Sequence, residues 1–316
     1  MNLSSKKVNK VFKQEVSKAK SIIAIYCLID RFFWKNKLGP IIAFAFPFFV
    51  VLLTYIVDLS NDDPYYFFAS SNKLIVPISA IPLSIFTLPL LLVEIKRSIL
   101  LKKIALARIS AITYIVIMGS FFMFLSILSV ILSEVYWMMF MNTHLYLYFN
   151  IKDGLSVFYS VLVLILVSVS MGLLIGCTLK NSSPIPILGL AILFISFILS
   201  ATIVSPSYLA NVIAIKYINL FSPLNYPLTL INITYYNLTN SSHNIFDINE
   251  TFNIGESFIP YKTPVNFWEF LIDYLGSAKT VQWYVEWQKI LGLVMPWVIV
   301  SFFILISVRF FTWSSR

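Results

Sequence analysis

Residues 109–133 read ISAITYIVIMGSFFMFLSILSVILS, a run without a single Asp, Glu, Lys, Arg or His. A helix rises about 1.5 Å per residue, so about 20 residues cross the roughly 30 Å of bilayer hydrocarbon, and this run is long enough to do so. Five further stretches are read the same way: 41–57, 74–93, 155–178, 186–204 and 290–308, all free of those five residue types. The expected fold is therefore an all-α integral membrane protein. It has six transmembrane helices, an N-terminal amphipathic interfacial helix and a large outer segment between spans five and six.

Composition agrees with that reading. Apolar residues make up 59% of the 316-residue chain, charged ones 12%, and mean hydropathy is +0.85, outside the range of water-soluble domains. The 28 Phe and 17 Tyr against 9 Gly fill an interior with large side chains and leave aromatics for both membrane interfaces. A formal charge of +9 would point to nucleic acid in a soluble protein; here the basic residues set topology. With the N-terminus in the cytoplasm, 17 of the 23 Lys and Arg fall inside, and 11 of the 14 acids fall outside. Both termini are accordingly expected in the cytoplasm. Asp30 and Arg31 directly follow the apolar stretch 21–29, where a signal peptidase needs small residues, so no cleaved signal peptide is expected. Cys27 and Cys177 are both placed on the cytoplasmic side and form no disulfide framework.

The organisation read from the chain begins with a cytoplasmic N-terminus, 1–40. Spans one to five then occupy 41–204 and include a cytoplasmic loop at 94–108. An extracellular segment, 205–289, with re-entrant or interfacial helices, precedes span six and a short tail, 290–316. Within 6–29, Val8, Val11, Phe12, Val16, Ala19, Ile22, Ile23 and Tyr26 recur at helical spacing away from Lys7, Lys10, Lys13, Lys18 and Lys20. Such a helix lies on the inner leaflet, its stripe buried and its lysines on anionic headgroups. In the second span Pro77, Pro82 and Pro89 remove backbone donors and loosen the helix. In the fourth, Gly172 and Gly176 stand at GxxxG spacing, where another helix can approach closely.

Catalytic constellations are missing from the sequence. His144 and His243 lie in different outer loops, and no HExxH or Cys/His cluster marks a metal site. There is no GxxxxGK[ST] to cradle a nucleotide phosphate, no GxSxG and no carboxylate pair within the six stretches. The expectation is a chain that is not an enzyme by itself and binds no metal or cofactor. Carriers driven by protons or ions commonly place ionisable groups in their spans, and these six have none. Energy for uphill transport would then enter from outside the membrane.

The port for that energy is the loop after span two, Glu94-Ile-Lys-Arg-Ser-Ile-Leu-Leu-Lys-Lys-Ile104. Leu100, Leu101 and Ile104 share a helical face, which leaves Lys96, Arg97, Lys102 and Lys103 for headgroups or an acidic partner surface.

At this point the chain resembles the membrane subunits of type-2 ABC exporters. Their second span ends in an acidic residue that opens a short charged coupling helix, commonly Glu-Arg-Glu-x-Gly-Thr-Leu, docked into the ATPase subunit. Glu94 and Leu100 match that form; Ser98 stands where Gly is usual, and the proline that often follows is missing. Arg31 through Phe49 is similar to the family's entry into its first span, and Gly172 through Pro184 to its fourth-span exit. Phe194 through Pro206 to Pro223-Leu-Asn-Tyr226 is similar to its fifth span, outer re-entrant hairpin and Pro-x-x-Tyr turn. The roughly sixty residues after Tyr226 exceed the family's usual hairpin; a segment of that size leans on the membrane helices rather than folding alone.

The resemblance implies a permease working as a homodimer or heterodimer with two cytoplasmic ATPase subunits, which bind the ATP and Mg. Residues 94–104 are then the coupling element, and spans two and five line the path. A path without fixed charge points to an amphiphilic or lipid-linked cargo. The alternatives are a carrier or channel not coupled to ATP, and a membrane scaffold or sensor.

Overall fold

The computed structural model describes residues 22–58, 74–98, 109–140, 151–199, 222–228, 231 and 281–311. Outside the described residues lie 6–21 of the expected interfacial helix, Leu100, Leu101, Lys102, Lys103 and Ile104, Pro206, and most of the outer segment 205–289. Every regular element among the described residues is helical. These are α1 (22–35), α2 (38–58), α3 (74–97), α4 (Ala111–Phe140), α5 (Ile151–Thr178), α6 (Pro184–Leu199) and α7 (Val281–Phe310), with one helical turn at 225–228.

Four of these are long and apolar enough to cross a membrane: Leu38–Ile56, Leu74–Arg97, Ala111–Phe140 and Val157–Thr178. The expected fifth and sixth spans coincide with shorter apolar helices, Pro184–Ile198 and Val294–Phe310. The polarity of the bundle is that of a membrane-embedded chain. Its outer surface carries large apolar side chains such as Phe49, Leu53, Val116, Phe124, Ile187, Phe302 and Leu305, while buried polar residues include Ser79, Ser84, Ser126, Ser129, Ser168 and Ser307. Each of those serines directs its hydroxyl to a carbonyl or another hydroxyl.

Two of the four long helices are interrupted at prolines. In α3, the N–H of Leu88 reaches back five residues to the Leu83 carbonyl, forming a π-helical turn at Leu83–Thr87. Pro89 comes next and has no N–H to donate, so the Ser84 carbonyl has lost the Leu88 donor of an α-helix and gains none from the following residue. α2 repeats the arrangement: Phe46 N–H bonds the Ile41 carbonyl around a π-helical turn at Ile41–Ala45, and Pro47 follows. The loosening expected of the second span is thus a π-helix of one turn, and it recurs in the first.

α3 is the most enclosed helix, packed against α4 on one side and α5 on another, with α7 lying along α5. Ser110 caps α4 by accepting from the Thr113 N–H at 3.1 Å. The helix runs past the expected end at 133 and takes in the half-buried Glu134. α1 buries Ile25, Ile29 and Phe33 against the bundle, with Phe33 5.8 Å from Phe121 and 6.3 Å from Phe122 between ring centroids. Ile22, Ile23 and Tyr26, the described part of the expected stripe, are exposed from the protein, as a face turned to the bilayer would be. The buried set is spaced i, i+4, i+8 and its aromatic member lies beyond residue 29, where the expected helix ended; α1 continues to residue 35. Tyr26 keeps one edge-on contact with Phe121 at 5.1 Å. Burial, and then the neighbouring Asp30 carboxylate, hold its phenol above the usual tyrosine range.

Candidate functional site

The site is built where α3 stops. Ser98 turns the chain out of the helix with ψ 155°, its N–H bonded to the Glu94 and Ile95 carbonyls at 3.1 Å each. Its hydroxyl bonds Ile95 O at 2.7 Å. Glu94, one turn before the end, is exposed and points away from the buried Leu91, Leu92 and Ile95. The acidic residue expected to end this helix is therefore at its outer edge, and the segment that carries Leu100, Leu101 and Ile104 leaves from Ser98.

α5 reaches this end of α3 because two glycines face it. A Cβ on Gly172 would overlap the Ser84 carbonyl, the acceptor released by the π-helical turn. On Gly176 it would come within 2.8 Å of Leu92 Cδ2 and 3.0 Å of Pro89 Cα. The GxxxG spacing therefore does what close helix packing requires, and its partner is the broken stretch of α3.

Close approach brings the end of α5 under two cations. The Lys96 Nζ donates to the carbonyls of Gly176 and Cys177, both at 2.7 Å, and lies 5.7 Å from the centre of the Phe311 ring. Arg97 Nη2 donates to Lys180 O at 3.1 Å and to Asn181 Oδ1 at 2.7 Å. The last carbonyls of a helix have no partner within it and carry the negative end of its dipole. An ammonium placed there satisfies two of them with charge-assisted bonds. Phe311, just past α7, also meets the Tyr114 ring of α4 at 5.5 Å. Four helix ends thus converge at Lys96: those of α3, α5 and α7, and the start of α4.

The sequence left Lys96 and Arg97 for headgroups or an acidic partner; the structure directs Lys96 onto the end of α5 and Arg97 onto the turn that follows it. No sequence signal shows it, because Gly176 is 80 residues further along the chain and only the packing of α5 brings it near. Further along α3, Ser84 Oγ pairs with Ser126 Oγ at 3.2 Å, and Ser129 Oγ donates to Ser79 O at 3.1 Å. Sequence reading passed over this seam, whose only signal was serines at helical spacing on α4.

Pro223 and Tyr226 are half-buried in the turn after Ser222, whose carbonyl accepts from Asn225 N–H at 3.2 Å. Leu224, Leu228 and Ile231 belong to the same core as α3 and α5, so this turn is anchored to the bundle. Among the described residues no three His, Cys, Asp or Glu side chains gather as a metal would need. Cys27 is exposed and Cys177 buried, and both are free. No known protein family, curated protein or solved structure matches the chain.

Proposed function

We propose that this chain is the membrane subunit of an ATP-driven exporter, paired with a second permease subunit and with cytoplasmic ATPase subunits that bring the ATP and Mg. Four long helices supply the first spans, and α6 and α7 the fifth and sixth, in a cell membrane with both termini in the cytoplasm. The observation that carries the reading is the double clamp of Lys96 on the end of α5 and of Arg97 on the turn after it. It gives the basic, apolar segment beyond Ser98 a fixed base at the end of a transmembrane helix. A partner that pushes on that segment needs such a base, because a flexible stem would absorb the displacement. Glu94 on the exposed edge and Lys102 and Lys103 beyond it are the polar contacts to the ATPase; Leu100, Leu101 and Ile104 are the apolar ones.

Transport follows if each nucleotide state of the ATPases binds inward- and outward-open arrangements with different affinity. The interior of the bundle offers serine hydroxyls and apolar surface, which suits an amphiphilic or lipid-linked cargo and leaves an isolated charged solute unpaired. The test is purification of the tagged chain from its native membrane in mild detergent, with identification of bound proteins and an ATPase assay. Recovery of a soluble ATPase subunit, lost in the Leu101→Ala/Ile104→Ala chain, supports the exporter. A chain recovered alone and without ATPase activity in several detergents and in nanodiscs refutes it and favours a carrier, channel or scaffold.

A further inference from the structure

The helix that receives the push and the helix that moves as a unit are different. α3 is divided by the π-helical turn at Leu83–Thr87, bounded by Pro82 and Pro89. A helix that has lost backbone bonds at one turn bends there, so the pieces 74–82 and 88–97 are joined by a hinge. The second piece is bound to α5 at two levels: Pro89 and Leu92 lie against Gly176, and Lys96 holds the carbonyls of Gly176 and Cys177 at its end, with Arg97 on Lys180 and Asn181 in the turn that follows. α5 itself has no proline and no π-helical turn over its 28 residues, which makes it a rod of about 42 Å.

We infer that a displacement of the chain beyond Ser98 is delivered through Lys96 and Arg97 to α5, with the π-helical turn of α3 as the hinge that keeps residues 74–82 from following. Lys96 is a positioning residue: it transmits motion between helices and touches no cargo. Its ammonium is the stronger link, since it makes two 2.7 Å bonds to main-chain carbonyls and rests on Phe311, which ties in the end of α7 as well. A pull on α5 also reaches α7 along their shared packing. The inference rests on the exporter reading for the source of the displacement, and on the clamp and hinge for its route.

The experiment uses the chain purified with its ATPase subunit in nanodiscs, in a Cys27→Ser/Cys177→Ala background. Nitroxide labels are placed at Phe158 on α5 and Phe124 on α4, both exposed at 62% and 58%. The labelled chain is co-expressed with an excess of unlabelled chain, so that distances within one copy dominate. Electron–electron dipolar spectroscopy compares the nucleotide-free complex with the complex trapped by ATP and vanadate. The expected result is a shift in the 158–124 distance on trapping. Lys96→Met loses that shift while still binding the ATPase and hydrolysing ATP, and Lys96→Arg, which keeps charged donors, retains it. Lys96→Gln, which preserves hydrogen-bond donors without charge, serves if the methionine variant does not accumulate, and a reduced shift is then expected. A shift of undiminished size in Lys96→Met or Lys96→Gln, or no shift in the chain with Lys96 although ATPase is bound and active, overturns the route while leaving the exporter reading intact. Absence of any ATPase subunit from the purified chain overturns both.

Discussion

Replacing Gly172 by alanine tests the contact on which the site depends. The added methyl group would occupy the place of the Ser84 carbonyl oxygen, a main-chain atom that cannot rotate aside. Relief requires α5 to move away from α3 along its whole shared face. Insertion of a methyl group into a packed interface costs about 1–3 kcal/mol, and a rigid main-chain obstacle places this change near the upper figure. Alanine regains roughly 1 kcal/mol over glycine in a helix interior, leaving a net loss of about 2 kcal/mol. For a chain of 316 residues that lowers Tm by about 3 °C. Gly119→Ala is the internal control: its Cβ would meet only the tips of Leu173 at 3.3 Å and Val169 at 3.8 Å, which can turn, so Tm should hold or rise slightly. Thermal unfolding followed by fluorescence-detected size exclusion in one detergent measures both. A Gly172→Ala chain that melts with or above Gly119→Ala refutes the close contact between α3 and α5.

Three other outcomes are expected. Ser84→Ala and Ser126→Ala should show a coupling of about 0.6 kcal/mol in a double-mutant cycle, the usual worth of a hydroxyl pair between membrane helices, and strict additivity would disprove their bond. Pro89→Ala returns an N–H to the broken turn of α3, so unfolding should require a higher temperature; an unchanged or lower Tm would mean that the missing donor is not what sustains the π-helix. Tyr26 should ionise above the free phenol, because burial and then Asp30 disfavour its anion. Its contribution to stability is then constant through neutral pH and is lost as pH rises past about 10, where the unfolded phenol ionises first. Ultraviolet titration of the chain against Tyr26→Phe checks this, and a Tyr26 that ionises at or below the free phenol refutes it.

Helical class and the four long apolar helices were legible because a bilayer demands uninterrupted apolar stretches, and 109–133 has nothing else in it. Gly172 and Gly176 were legible as a packing face, since spacing alone puts them on one side of a helix. Their partner was not, because helical periodicity carries no information on which other helix arrives. The same gap hid the role of Lys96. On a linear map it is one more basic residue after a span, obeying the charge rule that orients the protein, and only the position of α5 turns it into a cap for Gly176 and Cys177. In α1 the face that packs on the bundle was not legible, for a different reason. Ile22, Ile23 and Tyr26 are as apolar as Ile25, Ile29 and Phe33, and a helix between bundle and bilayer has two apolar sides. Periodicity finds such a surface and cannot divide it between protein and lipid.

The prolines divide the bundle in a way that bears on how it moves. α2 and α3 each carry a pair seven residues apart, Pro40 with Pro47 and Pro82 with Pro89, and each pair encloses a π-helical turn. The second proline of the pair supplies no donor, and the residue before it bonds five back instead of four. A single proline is not enough: Pro296 lies inside α7, seven residues after Lys289, and α7 stays α-helical around it. α4 and α5 contain no proline at all and run unbroken for 30 and 28 residues. Two helices that can bend therefore pack against two that cannot. A motion in such a bundle has its change of angle in α2 and α3 and its displacement in α4 and α5, so a bond that joins a bending helix to a rigid one is where the two are converted. Lys96 makes that bond beyond the hinge of α3, on the side from which the chain continues past Ser98.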